Sequence, residues 1–351
     1  MEYRQLGRSG LRVSTLTLGT MTFGAAGGFA ALGTVDEQGV RRQVDIALDA
    51  GVNLIDTANM YSVGASETLV GKAIRGRRDR VLLSTKVRFP MSDGVNDAGL
   101  SRHHILEQVE GSLTRLGTDH IDIYHVHEWD GQTPMEEYLE TLDTLVTSGK
   151  VRYLGVSNFS GWQLMKALSV SDAHNWQRFV SNQIYYSLEA RDAEYELIPL
   201  SVDQGLGVMA WAPLAGGLLT GKYRRDQQPA EGRQLSDWKE PPVRNPEKLW
   251  DTVDLLIKIA DGHHASPAQV ALAYLFKKTG ITTLVIGARR EEQLIDNLGS
   301  VEVELSTDEL DALDEISAPE LIYPHWHQSK AVGDRWSPAD LVLHGPRRPA
   351  E

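Results

Sequence analysis

The 351-residue chain has no cysteine. That excludes disulfides, thiolate nucleophiles and cysteine-ligated zinc or iron–sulfur centres. Long apolar runs are missing too. Nothing approaches the roughly 18 consecutive apolar residues of a membrane-spanning helix, and the opening MEYRQLGRSGLRV has no apolar h-region, so a cytoplasmic protein is expected. Basic charge is in deficit: 35 Lys and Arg stand against 48 Asp and Glu, a formal net charge of −13. This disfavours general binding to nucleic acid or to an anionic membrane, and leaves room for a local basic site that takes an anionic ligand. No G-x-G-x-x-G turn follows the first expected strand, which argues against an open dinucleotide-binding sheet. What is present, 41% apolar and 24% charged residues, is the composition of a globular, enzyme-sized protein. The length is normal for one α/β barrel with added loops.

Apolar runs alternate with helical stretches along the chain. The expected strands are 16–19, 52–56, 81–86, 121–127, 152–157, 180–183, 208–212 and 283–287. Most are unbroken apolar runs, as in parallel strands covered on the outside by helices. Thr34-Val35-Asp36-Glu37 and Thr133-Pro134-Met135-Glu136 read as capping boxes, the second with proline at the first helical position and Gly149 as its stop. Val40, Val44, Ala47 and Leu48 follow the first box at helical spacing, and Leu106, Val109, Leu113 and Leu116 form a stripe on the third helix. Repeated right-handed strand–helix units form a barrel or an open doubly wound sheet. Without the glycine fingerprint, the α/β reading is a (β/α)8 TIM barrel, one domain over 1–351. YRQLGRSGLRVS reads as an N-terminal β-hairpin. A long, polar, proline-rich loop after the seventh strand, 214–250, has the character of a functional loop, and the chain from Pro319 onward reads as an irregular tail.

In NLIDTANMYSVGASETLVGKAI a core strand ends on Asp56, and Tyr61 follows in a loop. Ser66 and Glu67 read as the cap and first turn of the next helix. Active sites of such barrels are built at the carboxyl ends of the strands. Those ends carry, in order, Gly19-Thr20-Met21, Asp56, Lys86, His127, Ser157-Asn158, Gln183, Trp211 and Gly287-Ala288-Arg289. Singly, a strand-end aspartate caps a turn and a lysine reaches solvent. Together on one mouth, Asp, Tyr, Lys and His are a rarer set. His125 and His127 share a strand face, a spacing that also suits the zinc pair of a metal-dependent barrel hydrolase. The other strand ends offer Ser157, Asn158, Gln183 and Arg289 instead of further ligands, so no metal is expected.

At these residues the chain resembles the aldo-keto reductase family. The resemblance rests on the stretch just quoted and on LLSTKV, IDIYHVHEWD, GVSNFSGWQL, SNQIYYSL, MAWAPLAGGLLTGKY and VIGARREEQLIDNL, in the family's order. It implies metal-free reduction of an aldehyde or ketone by hydride from NADPH, with NADH the lesser alternative. Tyr61 matches the general acid. A free phenol has a pKa near 10 and needs assistance at neutral pH. Lys86 matches the lysine that stabilises the tyrosinate, Asp56 pairs with Lys86, and His127 donates to the carbonyl oxygen. His125 is then a hydrogen-bonded interior or peripheral residue.

By the same resemblance the cofactor runs along Gly19, Thr20, Met21 and Asp56. Ser157, Asn158 and Gln183 hold the nicotinamide carboxamide and Trp211 stacks on its ring. Pro213, Leu214, Gly216, Gly217, Leu219 and Lys222 approach the pyrophosphate, where glycine backbone can come close and lysine adds charge. Gly287 and Arg289, with Arg290, precede an expected helix start suited to the adenosine 2′-phosphate, and Gln293 and Asn297 follow on one face. Gly287-Ala288 and Gln293 replace the lysine-serine…arginine pattern of some members, a difference shared by other branches. The GVSNFSGWQLMKAL stretch resembles that of bacterial reductases of bulky ketones, 3-keto-deoxynivalenol among them. Met21, Phe23, Phe89, Trp129 and aromatics among Tyr323, Trp326 and Trp336 are candidates for an apolar substrate pocket. The family also contains potassium-channel β subunits, so a cofactor-bound interaction or redox-sensing subunit is the alternative. A homo-oligomer is not indicated.

Overall fold

The computed structural model describes all residues except 31, 231, 236–241, 332–334 and 346–351. Two short antiparallel strands, β1 (Tyr3–Gln5) and β2 (Arg12–Ser14), form the expected hairpin. Eight parallel strands then close a barrel: β3 (Leu16–Gly19), β4 (Leu54–Asp56), β5 (Leu82–Val87), β6 (Ile121–Val126), β7 (Val151–Ser157), β8 (Phe179–Tyr185), β9 (Gly207–Trp211) and β10 (Ile281–Ile286). They pair in chain order, and β10 returns to β3 with Leu284 opposite Leu16. Each expected run falls on one of these strands, with ends displaced by a few residues at most. Among the described residues, no helix is long and apolar enough to cross a membrane.

Side-chain alternation divides the barrel interior into two zones. Leu54, Ile123 and Met209 make an apolar floor that packs against Leu6 and Val13 of the hairpin. One pleat further along the same strands lie Asp56, His125 and Trp211. The hairpin thus stoppers the amino-terminal end, and polar side chains fill the carboxyl end.

Three helix starts differ from the sequence reading. Helix Glu37–Asp49 is capped by Asp36, whose carboxylate accepts from Gly39 N at 2.8 Å, whereas Thr34 bonds back to Thr22 through its backbone. Before helix Met135–Thr147, Pro134 is the N-cap residue, and Thr133 spends its hydroxyl on Asp130 at 2.7 Å. Gly149, at φ 79°, stops that helix as expected. Helix Ala65–Ala73 starts after a left-handed Gly64, and Ser66 inside its first turn donates to Thr20 O at 2.9 Å instead of capping. The buried stripe of helix Arg102–Leu116 begins at Ile105, not at the exposed Leu106. The loop expected over 214–250 ends earlier, because Asn245 caps the helix Pro246–His263; within it Ala215–Thr220 forms a 3-10 turn, and part of the polar stretch lies outside the described residues. Past Pro319 the described chain carries two short helices, His325–Ala331 and Leu341–His344.

Candidate active site

At the carboxyl end of the barrel, Lys86 is entirely buried, and its ammonium lies 2.5 Å from Asp56 Oδ2. A second bond goes to Thr57 O at 2.8 Å. The other carboxylate oxygen, Asp56 Oδ1, accepts from Ser84 Oγ at 2.7 Å and from Gln183 Nε2 at 3.0 Å. Three barrel strands therefore hold the pair: β4 and β5 contribute its members, and β5 and β8 the donors to Oδ1. Burial works against the Lys86 charge, but Asp56 and then Tyr61 outweigh it, and the lysine pKa lies above its ordinary value. A buried ion pair survives only when its remaining valences are filled in this way.

Tyr61 reaches the same point from outside the barrel. It opens the 3-10 turn Tyr61–Gly64, in which Ser62 and Val63 adopt left-handed backbone at φ 48° and 54°. Such conformations cost about 1–3 kcal/mol each and persist only where the surroundings enforce them. Here Ser62 Oγ donates to Phe23 O at 3.1 Å, and Ser66 ties the following helix to Thr20. The Tyr61 ring is 5.5 Å from Phe29 and 5.9 Å from His127, centroid to centroid, and Lys86 Nζ lies 5.2 Å from its centre. Burial raises the phenol pKa above 10, with Lys86 pulling the other way. Tyr61 is thus a protonated donor at neutral pH.

His127 follows β6 and lies edge-on to Phe89, centroids 4.9 Å apart. Burial, then Lys86, depresses its pKa well below the usual histidine value, so the ring is neutral. Its Nδ1 has no hydrogen-bond partner among the described residues. Asn158 Nδ2 donates to His127 O, and Asn158 Oδ1 accepts from Trp211 Nε1, each at 3.1 Å. Asn158 and Gln183 are therefore already engaged within the protein, but each amide keeps a further donor and acceptor valence.

These groups open onto one cleft of about 1200 Å³. Its lining joins Tyr61 and His127 to Ser157, Asn158, Gln183 and Trp211, then to Pro213, Leu214, Gly216, Gly217 and Lys222, and ends at Gly287, Arg289, Gln293 and Asn297. Gly19, Thr20, Met21 and Asp56 complete the floor. Gly216 and Gly217 have φ of 63° and 95°, a conformation that leaves backbone bare to a ligand. Arg290 is the N-cap residue of helix Glu291–Leu298, as expected, and Asn297 is buried in the cleft wall. A cleft that joins the amides of Asn158 and Gln183, left-handed glycines and arginines at a helix start has the donors to take a dinucleotide.

Two site expectations change. Leu219 is fully buried in the core and lines no part of the cleft, because its 3-10 turn directs the apolar side chain inward. Lys86 lies beneath the cleft, reaching it through Tyr61. Of the substrate-pocket candidates, Met21 and Phe89 line the cleft. Phe23 is core, Trp129 packs on Phe159 and Trp162, and Tyr323, Trp326 and Trp336 lie elsewhere. The sequence reading missed Phe29, Met60, Glu128 and Arg233, all of which line the cleft. Met60 and Glu128 adjoin Tyr61 and His127, a signal that could have found them. Phe29 offered only an aromatic in a glycine-rich loop.

A model of the aldo/keto reductase family matches residues 15–318. An uncharacterized oxidoreductase of Bacillus subtilis (strain 168), YrpG, is 42% identical over 327 residues, covering 90% of this chain and 96% of the relative. The versiconal hemiacetal acetate reductase of Aspergillus parasiticus is 33% identical over 344 residues, 92% of this chain and 99% of the relative. A probable voltage-gated potassium channel subunit beta of Oryza sativa subsp. japonica is 36% identical over 312 residues, 86% and 92% respectively.

Proposed function

The chain belongs to the aldo/keto reductase family, and from that membership we propose that it is a cytoplasmic enzyme reducing an aldehyde or ketone to an alcohol with NADPH. The observation that carries this reading is the buried Asp56–Lys86 ion pair, with Lys86 Nζ 5.2 Å from the Tyr61 ring, beneath a cleft that also joins Asn158, Gln183 and Trp211 to Gly216, Gly217 and Arg289. When bound, NADPH supplies the hydride. Ser157, Asn158 and Gln183 would hold its carboxamide with their remaining valences, and Trp211 its nicotinamide ring. Gly216, Gly217 and Lys222 would take the pyrophosphate, and Arg289, Arg290, Gln293 and Asn297 the adenosine end.

The chain's own residues handle the proton. A neutral His127 donates to the carbonyl oxygen and orients it toward Tyr61, which gives up its phenolic proton as the alkoxide develops. Lys86 stabilises the resulting phenolate, and Asp56 keeps Lys86 charged and in place. Met21, Phe29, Met60 and Phe89 line the substrate end with apolar surface, which supports a substrate with an apolar body, bulky ketones included.

Cofactor choice is tested by titrating the protein's tryptophan fluorescence with NADPH and with NADH. NADPH is expected to bind more tightly, and Arg289→Ala to weaken NADPH alone, by about tenfold for one lost charge-assisted bond. Equal loss for both cofactors would contradict the phosphate assignment, and failure to bind either would overturn the whole reading. The likeness to a channel β subunit supports a second reading, a cofactor-bound interaction partner. That reading requires tight NADPH binding with negligible turnover.

A further inference from the structure

His125 is the buried histidine that the proton chemistry leaves unused. Strand register sets it level with Lys86 on β5, Gly155 on β7 and, one strand further, Ser181 on β8. Gly155 is what lets it lie there. A Cβ at that position would come within 2.3 Å of the imidazole and 2.5 Å of Ser181 Oγ. Across the space so left, His125 Nε2 meets Ser181 Oγ at 3.0 Å, while Nδ1 meets Ser84 Oγ at 3.1 Å. The direction of these bonds is fixed. Ser84 spends its single proton on Asp56 Oδ1, so it must accept from His125 Nδ1–H. A neutral imidazole has one proton, so Nε2 accepts from Ser181. Burial pushes the His125 pKa down to about 3, which keeps that tautomer neutral.

We propose that His125 is a positioning residue of the active site, which through Ser84 fixes the Asp56 carboxylate and hence the Lys86 ammonium beneath Tyr61. The proposal rests on the reductase reading above. Ser181, His125 and Ser84 form a one-way run of donated hydrogen bonds that ends on Asp56, and such runs polarise and strengthen one another. Without it, Ser84 is an unpolarised donor or is lost, and Asp56 concentrates its charge on Lys86. More of the ammonium field at Tyr61 is then cancelled, and the phenol becomes a weaker acid. The charged and titratable groups facing His125 are Asp56 from β4, Lys86 from β5 and His127 beyond β6. Those facing Tyr61 are Lys86, Asp56, His127 and Arg233 of the loop after β9.

The test compares His125→Leu, which fills the space without a donor, with His125→Asn, whose amide can place N–H where Nδ1 stands. Carbonyl reduction is measured across pH with NADPH, alongside Tyr61→Phe and Ser84→Ala. For His125→Leu, kcat is expected to fall about tenfold, a part of what a well-placed acid contributes. The KM for the carbonyl and the affinity for NADPH stay unchanged, and the basic limb of the profile moves to higher pH. Ser84→Ala reproduces this with His125 in place, and decides the matter if the leucine variant does not fold. His125→Asn recovers most of the rate. Were the ring only packing, leucine would be tolerated and the smaller asparagine would be the worse variant; that order, or unaltered kcat and pH limb in both Leu and Ala variants, overturns the proposal. Undiminished turnover in Tyr61→Phe would instead overturn the reductase reading, and the proposal with it.

Discussion

Tyr61→Phe is expected to lower kcat for carbonyl reduction by about 10²–10⁴-fold, the contribution of a positioned proton donor. Affinity for NADPH should not change. The substitution keeps the ring that packs 5.5 Å from Phe29 and edge-on to His127, so the cleft retains its shape. Lys86 keeps both of its hydrogen bonds, to Asp56 and to Thr57 O. Loss of one buried hydroxyl costs about 1 kcal/mol, too little to unfold the barrel. Thermal unfolding of the variant therefore separates lost chemistry from lost structure. A variant that binds NADPH, stays folded and still reduces the carbonyl at the native rate would remove Tyr61 from the acid role.

Lys86→Met has the second large effect, on stability as well as on rate. Both side chains of the Lys86–Asp56 pair are sealed from solvent, at 0% and 3% exposure. Removing the ammonium strands a carboxylate whose remaining support is neutral, from Ser84 and Gln183. Breaking one side of such a pair costs about 3–5 kcal/mol. Adding Asp56→Asn removes the stranded charge, so the double variant is expected to regain most of the lost stability, yet not the activity, since the ammonium beneath Tyr61 is still missing. Denaturant unfolding and turnover of the two single variants and the double variant form the cycle that checks this. Recovery of turnover in the double variant would mean that Lys86 serves the fold alone.

The barrel could be read in the sequence because its strands are covered on the outside by helices and so appear as unbroken apolar runs. The strand-end residues could be read for the same reason: Asp56, Lys86 and His127 break those runs where a core strand should continue. Local hydroxyls were less legible. Thr133 and Ser66 look like caps, but Thr133 serves Asp130 and Ser66 serves Thr20, and those tertiary partners lie outside the local sequence pattern. Ile105 and Leu106 are adjacent and both apolar, so periodicity could not decide which one faces the core. Parity put His125 on the strand face of His127, and left open whether that place was interior or peripheral. Its dependence on Gly155 and Ser181 could not be inferred, since only the register of β6, β7 and β8 brings the three level. Phe29 reaches Tyr61 from a glycine-rich loop whose path no pattern specifies.

The central claim is that hydride passes between a nicotinamide and a carbonyl carbon held against Tyr61 and His127. The most direct measurement is single-turnover reduction of 4-nitrobenzaldehyde by the wild-type protein with NADPH carrying deuterium on one or the other face of its nicotinamide. The expected result is deuterium on the carbinol carbon of the alcohol from one labelled face only, lost in Tyr61→Phe under the same conditions. NADPH bound at stoichiometry with no deuterium reaching any of a panel of aldehydes and ketones would contradict it, and would leave the chain as a cofactor-bound partner instead of a reductase.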